Sequence, residues 1–199
     1  RRPGAGGVDA VLTIDEELQR YEHRRLASEL SASAVVLDVH TGEVLAMVSV
    51  PSFTPSAFVN GVSHAQWNEW RDDPRAPLVN KATAGQYPPG STFKMLTALA
   101  ALELGIIDGS TSFFCPGFLK MGRARFHCWR SGGHGALAVV DALAQSCDVF
   151  FYEAGKRVGI DNLAAMARRF GLGAPTGIDL PNEQPGLMPT RDWKERAIG

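Results

Sequence analysis

Apolar positions along this chain fall into several distinct textures. Leu18, Tyr21 and Leu26 recur at helical spacing behind Thr13-Ile14-Asp15-Glu16. That T-x-x-E pattern is a capping box and predicts a helix running to about Leu30. Two β-branched runs, 33–39 and 44–50, then flank His40-Thr41-Gly42-Glu43 and predict a β-hairpin. Both runs are apolar at almost every position, so the hairpin is expected to be covered on both faces, as in the centre of a sheet. From Pro51 to Pro89 prolines and aromatic residues replace periodicity, the texture of loops and short helices laid over a core. Phe93, Leu96, Thr97, Ala100 and Leu104 predict a helix over 91–104 that closes at Gly105. A second irregular stretch, 110–135, has no period of its own. Residues 137–158 and 162–170 read as mostly helical, the second with Asp161 as N-cap and Gly171 past its end. The tail from Gly177 reads as loop with a short polar helix near Arg191, and the Gly-rich residues 1–10 as a linker or entry loop.

Composition narrows the class. A chain of 199 residues, 45% hydrophobic and 9% aromatic, is long enough to bury a core without disulfide staples. Twenty basic residues against 21 acidic ones give a net charge of −1, and no basic block stands out, so nucleic acid is not an expected partner. The longest apolar stretch, 95–107, is interrupted by Thr97 and Glu103 and is too short to cross a bilayer. Arg1-Arg2-Pro3-Gly4 has charge but no apolar run behind it, so it is not read as a signal peptide. The expectation is a soluble domain cut from a longer protein.

The most informative segment is Gln86-Tyr87-Pro88-Pro89-Gly90-Ser91-Thr92-Phe93-Lys94. S-x-x-K alone is common and describes equally well a helix-capping Ser followed by a solvated Lys. Its setting changes the weight. Pro-Pro-Gly forces a tight approach and a helix begins at once behind it, so Ser91 sits where unsatisfied amides and the helix dipole favour negative charge. Lys94 lies one turn along on the same face and supplies a base if desolvated.

With Asn80-Lys81-Ala82-Thr83 before it, this segment resembles the active-site entry of the penicillin-binding proteins, whose signature is S-x-x-K, S-x-N and K-T-G. The resemblance runs through Asp38-Val39-His40-Thr41-Gly42-Glu43, Pro51-Ser52-Phe53, Gly133-His134-Gly135, Thr176-Gly177-Ile178-Asp179 and Met188-Pro189-Thr190-Arg191. It is strongest to the class B penicillin-binding protein 2 subfamily of elongation-specific transpeptidases. It implies an α/β (α+β) fold of the transpeptidase and serine β-lactamase type, a sheet flanked by helices, with 11–199 as the N-terminal portion of that domain. The second motif matches Ser146-Cys147-Asp148, where Ser146 offers a relay hydroxyl and Asp148 replaces the usual Asn, as in that subfamily. The third motif is absent: Lys81-Ala82-Thr83 is in the wrong place and lacks the Gly. It is expected past Gly199, together with the strand whose amide would pair with that of Ser91 in an oxyanion hole.

Carried over residue by residue, the resemblance implies acyl transfer. Ser91 attacks the penultimate D-alanine of a peptidoglycan stem peptide, Lys94 and Ser146 move the proton, and β-lactams acylate the same Ser. It implies no cofactor for catalysis, a membrane glycosyltransferase of the shape or elongation family as partner, and an anchor upstream of Arg1. The place implied is the periplasmic face of the bacterial inner membrane. A D,D-carboxypeptidase of the same fold and a non-catalytic scaffold are the competing readings.

Cysteine adds a separate expectation. Cys115, Cys128, His134 and Cys147 follow C-x12-C-x5-H-x12-C, which is not a zinc-finger spacing, yet three soft ligands and an imidazole suit a structural tetrahedral Zn²⁺. The family resemblance places a metal here too, held by Asp, His and Cys, with Cys in place of Asp at two positions. A Cys115–Cys128 disulfide beside a buried Cys147 is the alternative in an oxidising compartment, and three unrelated thiols the third. His127 is the competing imidazole. Trp67, Trp70 and Trp129 read either as groove lining or as pins for their loops. Asp72 and Asp73 read as a turn before Pro74, and His23, His40 and His64 as surface residues.

Overall fold

The computed structural model describes residues 7, 9–59 and 61–198. The predicted entry loop over 1–10 therefore lies largely outside the described residues. The chain divides into two compact units, 1–86 with 180–184, and 87–179 with 185–199.

In the first unit, α1 (Glu16–Leu26) lies against a hairpin of β1 (Ala32–Leu37) and β2 (Val44–Val50). The expected capping box does not form. Asp15 caps α1 by accepting from the Leu18 amide, and the Thr13 hydroxyl instead donates to the Val44 carbonyl at 2.6 Å. The reason is the edge of β2. The Asp15 amide donates to the Leu45 carbonyl, and the Gln19 amide group bonds both the N–H and the C=O of Met47 at 2.7 Å each. Residues 13–19 thus occupy the hydrogen-bonding groups that an unpaired edge would leave open. α1 ends at Leu26, short of the predicted Leu30.

β1 and β2 pair antiparallel from Ala32↔Val50 to Leu37↔Val44 as a two-stranded sheet. Burial is less complete than predicted: Ala46, Val48 and Val50 are buried, but Val35 and Leu37 are about half exposed. The proline-rich stretch contains a 3₁₀ turn at Pro55–Phe58, then α2 (His64–Asp72) and the one-turn α3 (Lys81–Ala84). Trp70 packs on Phe53 and Phe58, pinning this loop. Asp72 and Asp73 pair with Arg71 and Arg75 in the turn around Pro74. His23, His40 and His64 are exposed.

The second unit opens with a 3₁₀ turn, Gly90–Phe93, that runs directly into α4 (Lys94–Glu103). The irregular stretch predicted over 110–135 is in fact built from strands: β3 (Ser112–Cys115), β4 (Phe118–Met121) and β5 (Ala124–His127), followed by β6 (Gly135–Ala138). β4 pairs with β5, and β3 with β6, both antiparallel. Four-residue strands are too short to establish an alternation in the sequence. The helix predicted over 137–158 is interrupted, giving α5 (Val139–Ala144) and α6 (Asp148–Val158). α7 (Ile160–Arg169) follows with Gly159, not Asp161, as N-cap, and α8 (Arg191–Ile198) is the predicted polar helix.

The core of this unit lies where α4 crosses α6. Ala98 and Ala101 of α4 and Ala154 of α6 are buried, and Thr97 Cγ2 comes within 3.7 Å of where a Cβ on Gly155 would stand. Small residues bring the helix axes together, and Phe113, Val149, Phe150, Phe151 and Met166 fill the space around them. The N-termini of α4 and α6 are thereby held side by side.

Candidate active site

Each site residue arrives on a short turn. Ser91 sits in the 3₁₀ turn, exposed, and Lys94 is the first residue of α4. Opposite them, α5 ends in a Schellman motif. The Cys147 amide bonds the Ala142 carbonyl, the Ser146 amide bonds that of Leu143, and Ser146 has a φ of 50°. That left-handed position is usually Gly, because a Cβ there costs about 1 kcal/mol. The serine is kept against its backbone preference, and its hydroxyl donates to Ser91 Oγ at 3.1 Å.

Lys94 closes the arrangement. Nζ donates to the Ser146 carbonyl at 2.8 Å, to Ser146 Oγ at 3.0 Å and to Asp148 Oδ1 at 2.6 Å. An ammonium has three hydrogens, and all three are used. The sequence placed Lys94 in direct reach of Ser91. The structure instead routes the connection through Ser146, whose Oγ bonds both. With Lys94 as the amine, a proton leaving Ser91 has a path through Ser146 to Nζ.

Asp148 is the N1 residue of α6, and its second oxygen accepts from the Trp129 amide at 2.9 Å. Burial pushes this carboxyl up, but Lys94 and the Trp129 amide outweigh burial and hold it below its ordinary 3.8. Trp129 adds a second tie, its indole N–H donating to the Gln145 carbonyl at 3.0 Å. Sequence reasoning treated Trp129 only as groove lining or a loop pin; its position directly after Cys128 was the available clue.

The four Cys and His ligand atoms lie within 4.8 Å of one another, and the three cysteines are free thiols, all buried. His134 Nδ1 stands 3.6 Å from Cys115 Sγ and 3.5 Å from Cys128 Sγ. Tetrahedral Zn²⁺ with bonds of about 2.3 Å to sulfur and 2.0–2.1 Å to nitrogen requires S···N edges of ~3.6 Å, which the two His134 edges match, and three thiols with an imidazole are the donor types that ion takes. Burial pushes Cys147 up to about 12, so a cluster of thiolates here forms only around a positive charge. For Cys128, burial is outweighed by the amides of Arg130, Asp148 and Val149, which hold the thiol low. His127 is outside the cluster and exposed.

Backbone contact brings the cluster together. A Cβ on Gly133 would fall 2.1 Å from the Cys115 carbonyl oxygen, and one on Gly117 2.2 Å from that of Ser131. The His134 amide bonds the Cys115 carbonyl at 3.1 Å. Only glycine permits this approach. A cavity of about 740 Å³ in the first unit, lined by Gln19, Met47, Phe53, Asn80 and Leu180, contains none of these residues.

Two outcomes follow for the Ser146-Cys147-Asp148 turn. Ser146→Gly should leave stability unchanged or raise it by up to about 1 kcal/mol in urea unfolding, since Gly suits the left-handed position; a loss of more than about 1 kcal/mol would show that the Lys94 bond to the hydroxyl dominates. The second concerns acid. Asp148 is held below its unfolded value, so its contribution is complete above that value and drains as pH falls through the lower, folded one. Asp148→Asn should flatten the wild-type loss of stability below pH about 4, measured as unfolding midpoint against pH; an unchanged slope would remove Asp148 as its source.

Residues 32–199 match the family model described as "Penicillin binding protein transpeptidase domain". The chain is 44% identical over 198 residues to "Peptidoglycan D,D-transpeptidase MrdA" of Escherichia coli (strain K12), covering 98% of this chain and 31% of that protein. It therefore spans about a third of the length of this curated relative. Among solved structures it resembles PBP2 of Pseudomonas aeruginosa in complex with WCK 5153, with TM-score 0.86 and 38% identity over 93% of this chain and 42% of that one. It also resembles the penicillin-binding protein PBP2 of Helicobacter pylori in complex with MreC, with TM-score 0.87 and 34% identity over 92% of this chain and 34% of that one. A match to the family model over residues 32–199, most of the chain, makes this chain a member of the penicillin-binding protein transpeptidase family.

Proposed function

We propose that this chain carries the nucleophile half of a serine D,D-transpeptidase that cross-links peptidoglycan stem peptides during cell-wall elongation and is acylated by β-lactams. The observation that carries the reading is the Ser91–Ser146–Lys94 chain of hydrogen bonds at 3.1 and 3.0 Å, with Ser91 open to solvent. The relative named a peptidoglycan D,D-transpeptidase supports the reaction and the substrate.

With Lys94 as the amine, and the relay bonds running from Ser91 O–H to Ser146 and from Ser146 O–H to Nζ, Ser91 Oγ attacks the carbonyl carbon of the penultimate D-alanine as its proton passes through Ser146 to Lys94. The Ser91 amide, at the positive end of the 3₁₀ turn and α4, would be one donor to the developing oxyanion. The C–N bond breaks, the proton returns to the leaving amine, and the terminal D-alanine departs. An amine from a neighbouring stem then attacks the Ser91 ester, its proton entering the same relay, and the cross-link forms as Ser91 is restored. A β-lactam enters the first step alike, but its leaving amine stays tethered to the acyl group and obstructs the second.

Asp148 orients Lys94 and balances its charge. Cys115, Cys128, His134 and Cys147 would hold a structural Zn²⁺, which supplies the positive charge that buried thiolates need. The extracytoplasmic face of the bacterial inner membrane, a membrane glycosyltransferase and shape-type partners complete the proposal; the relative solved with MreC supports the last. No helix among the described residues is long and apolar enough to cross a membrane.

Intact mass of the full-length protein before and after benzylpenicillin tests both parts. A one-to-one adduct that maps to Ser91 and is lost in Ser91→Ala is expected, and no adduct on folded protein would sink the enzyme reading in favour of a scaffold. The untreated native spectrum should show one zinc that Cys147→Ser removes; a loss of two hydrogens would mean the disulfide instead.

A further inference from the structure

Between Asp108 and Asp141 the chain contains no acidic residue and four permanent cations, Lys120, Arg123, Arg125 and Arg130. The sequence showed no basic block because these residues are interleaved with apolar ones; folding collects them. In the β4–β5 register Lys120 stands directly opposite Arg125, with Arg123 in the two-residue turn at the tip. All four are exposed, and none forms an ion pair among the described residues. Like charges facing one another across a strand pair destabilise a hairpin, so folding alone does not account for this arrangement. The Arg125 guanidinium also lies over the Phe118 ring, 4.6 Å from its centroid, a cation–π contact that holds it on one face of the hairpin.

The hairpin is bonded into the candidate site. The Cys128 amide closes on the Gly117 carbonyl at 2.8 Å, Tyr152 of α6 donates to the His127 carbonyl, and the Trp129 amide holds Asp148. The base of the cationic strands is therefore continuous with the residues that hold Lys94. We infer that the β4–β5 hairpin is an anion-recognition arm of this site, in which Lys120 and Arg125 bind the free carboxylates of an acidic stem peptide whose D-alanine end lies at Ser91.

The inference rests on the proposed function, because the ligand is the donor strand of that reaction. Charge complementarity favours it: stem residues upstream of the terminal D-alanines carry free carboxylates, and a planar guanidinium fork binds a carboxylate with two parallel bonds. A bilayer surface is the competing occupant, favoured by basic clusters of 4–8 residues beside a membrane anchor.

The test compares two synthetic stem-peptide donors ending in D-Ala-D-Ala, one with free upstream carboxylates and one with them amidated, on the full-length protein. Wild type should favour the free-carboxylate donor by about 3–10-fold in kcat/KM, carried by KM, as expected for two exposed ion pairs. The preference should shrink as salt is raised. Lys120→Gln/Arg125→Gln should turn over the two donors equally, while Lys120→Arg/Arg125→Lys keeps most of the preference. The ratio is internal to each protein, so a general loss of activity cancels. A double Gln variant that keeps the wild-type preference overturns the inference. So does wild-type binding to anionic vesicles that the variant loses while the donor preference stays unchanged. Wild type that forms no acyl-enzyme with either donor or with benzylpenicillin would instead refute the proposed function itself.

Discussion

Everything chemical in this chain depends on one turn, Gln145 to Asp148, and on the bonds that Lys94 makes to it. Four consecutive residues face four tasks there. The Gln145 carbonyl is held by the Trp129 indole, Ser146 bonds both Ser91 and Lys94, Cys147 enters the thiol cluster, and Asp148 pairs with Lys94. A Schellman motif makes this possible, since it reverses the chain within two residues and so directs neighbouring side chains to different sides. Its cost is a serine at φ 50° where glycine is preferred. Helix packing maintains the distances: small residues bring α4 and α6 close enough for Lys94, at the start of one helix, to reach Asp148, at the start of the other, in 2.6 Å.

The thiol cluster and the catalytic residues are not independent. Cys147 immediately precedes Asp148, and Cys128 immediately precedes Trp129, whose amide holds the second oxygen of Asp148. Any ion bound by the cysteines therefore fixes both backbone segments that orient the carboxylate. This would be support at second remove, in which a bound ion would set the geometry of ligands whose neighbours orient Lys94. The glycine contacts at Gly117 and Gly133 belong to the same construction, because they let two loops approach closely enough to share ligands.

Much of this was legible in the sequence, and the failures have identifiable physical causes. Pro88-Pro89-Gly90 before an Ala- and Leu-rich helix located Ser91 and Lys94, because proline and glycine restrict the backbone locally and helical periodicity is a local property. The four metal-type ligands were legible as chemistry but not as geometry; a loop that closes backbone to backbone at Gly133 leaves no periodic trace. The strands over 112–127 were missed because each has four residues. The break at Gln145–Cys147 was missed because Ala, Gln and Ser are all tolerated in helices, and only the pull of Lys94 and Ser91 explains why the chain turns there. The capping box at Thr13 failed because the unpaired edge of β2 recruits the same hydroxyl. At Thr13 and at Gln145–Cys147 a long-range contact outweighed a local preference.

In the proposed reaction Lys94 acts on Ser91 through Ser146, so that the two residues form one device. A double-mutant cycle on benzylpenicillin acylation tests this directly, comparing wild type, Lys94→Ala, Ser146→Ala and the double variant in the full-length protein. Residues that act as a unit lose nearly everything with the first removal. The account predicts that the double variant acylates about as slowly as Lys94→Ala alone. If the two losses multiply instead, Lys94 reaches Ser91 without Ser146, and the relay is wrong.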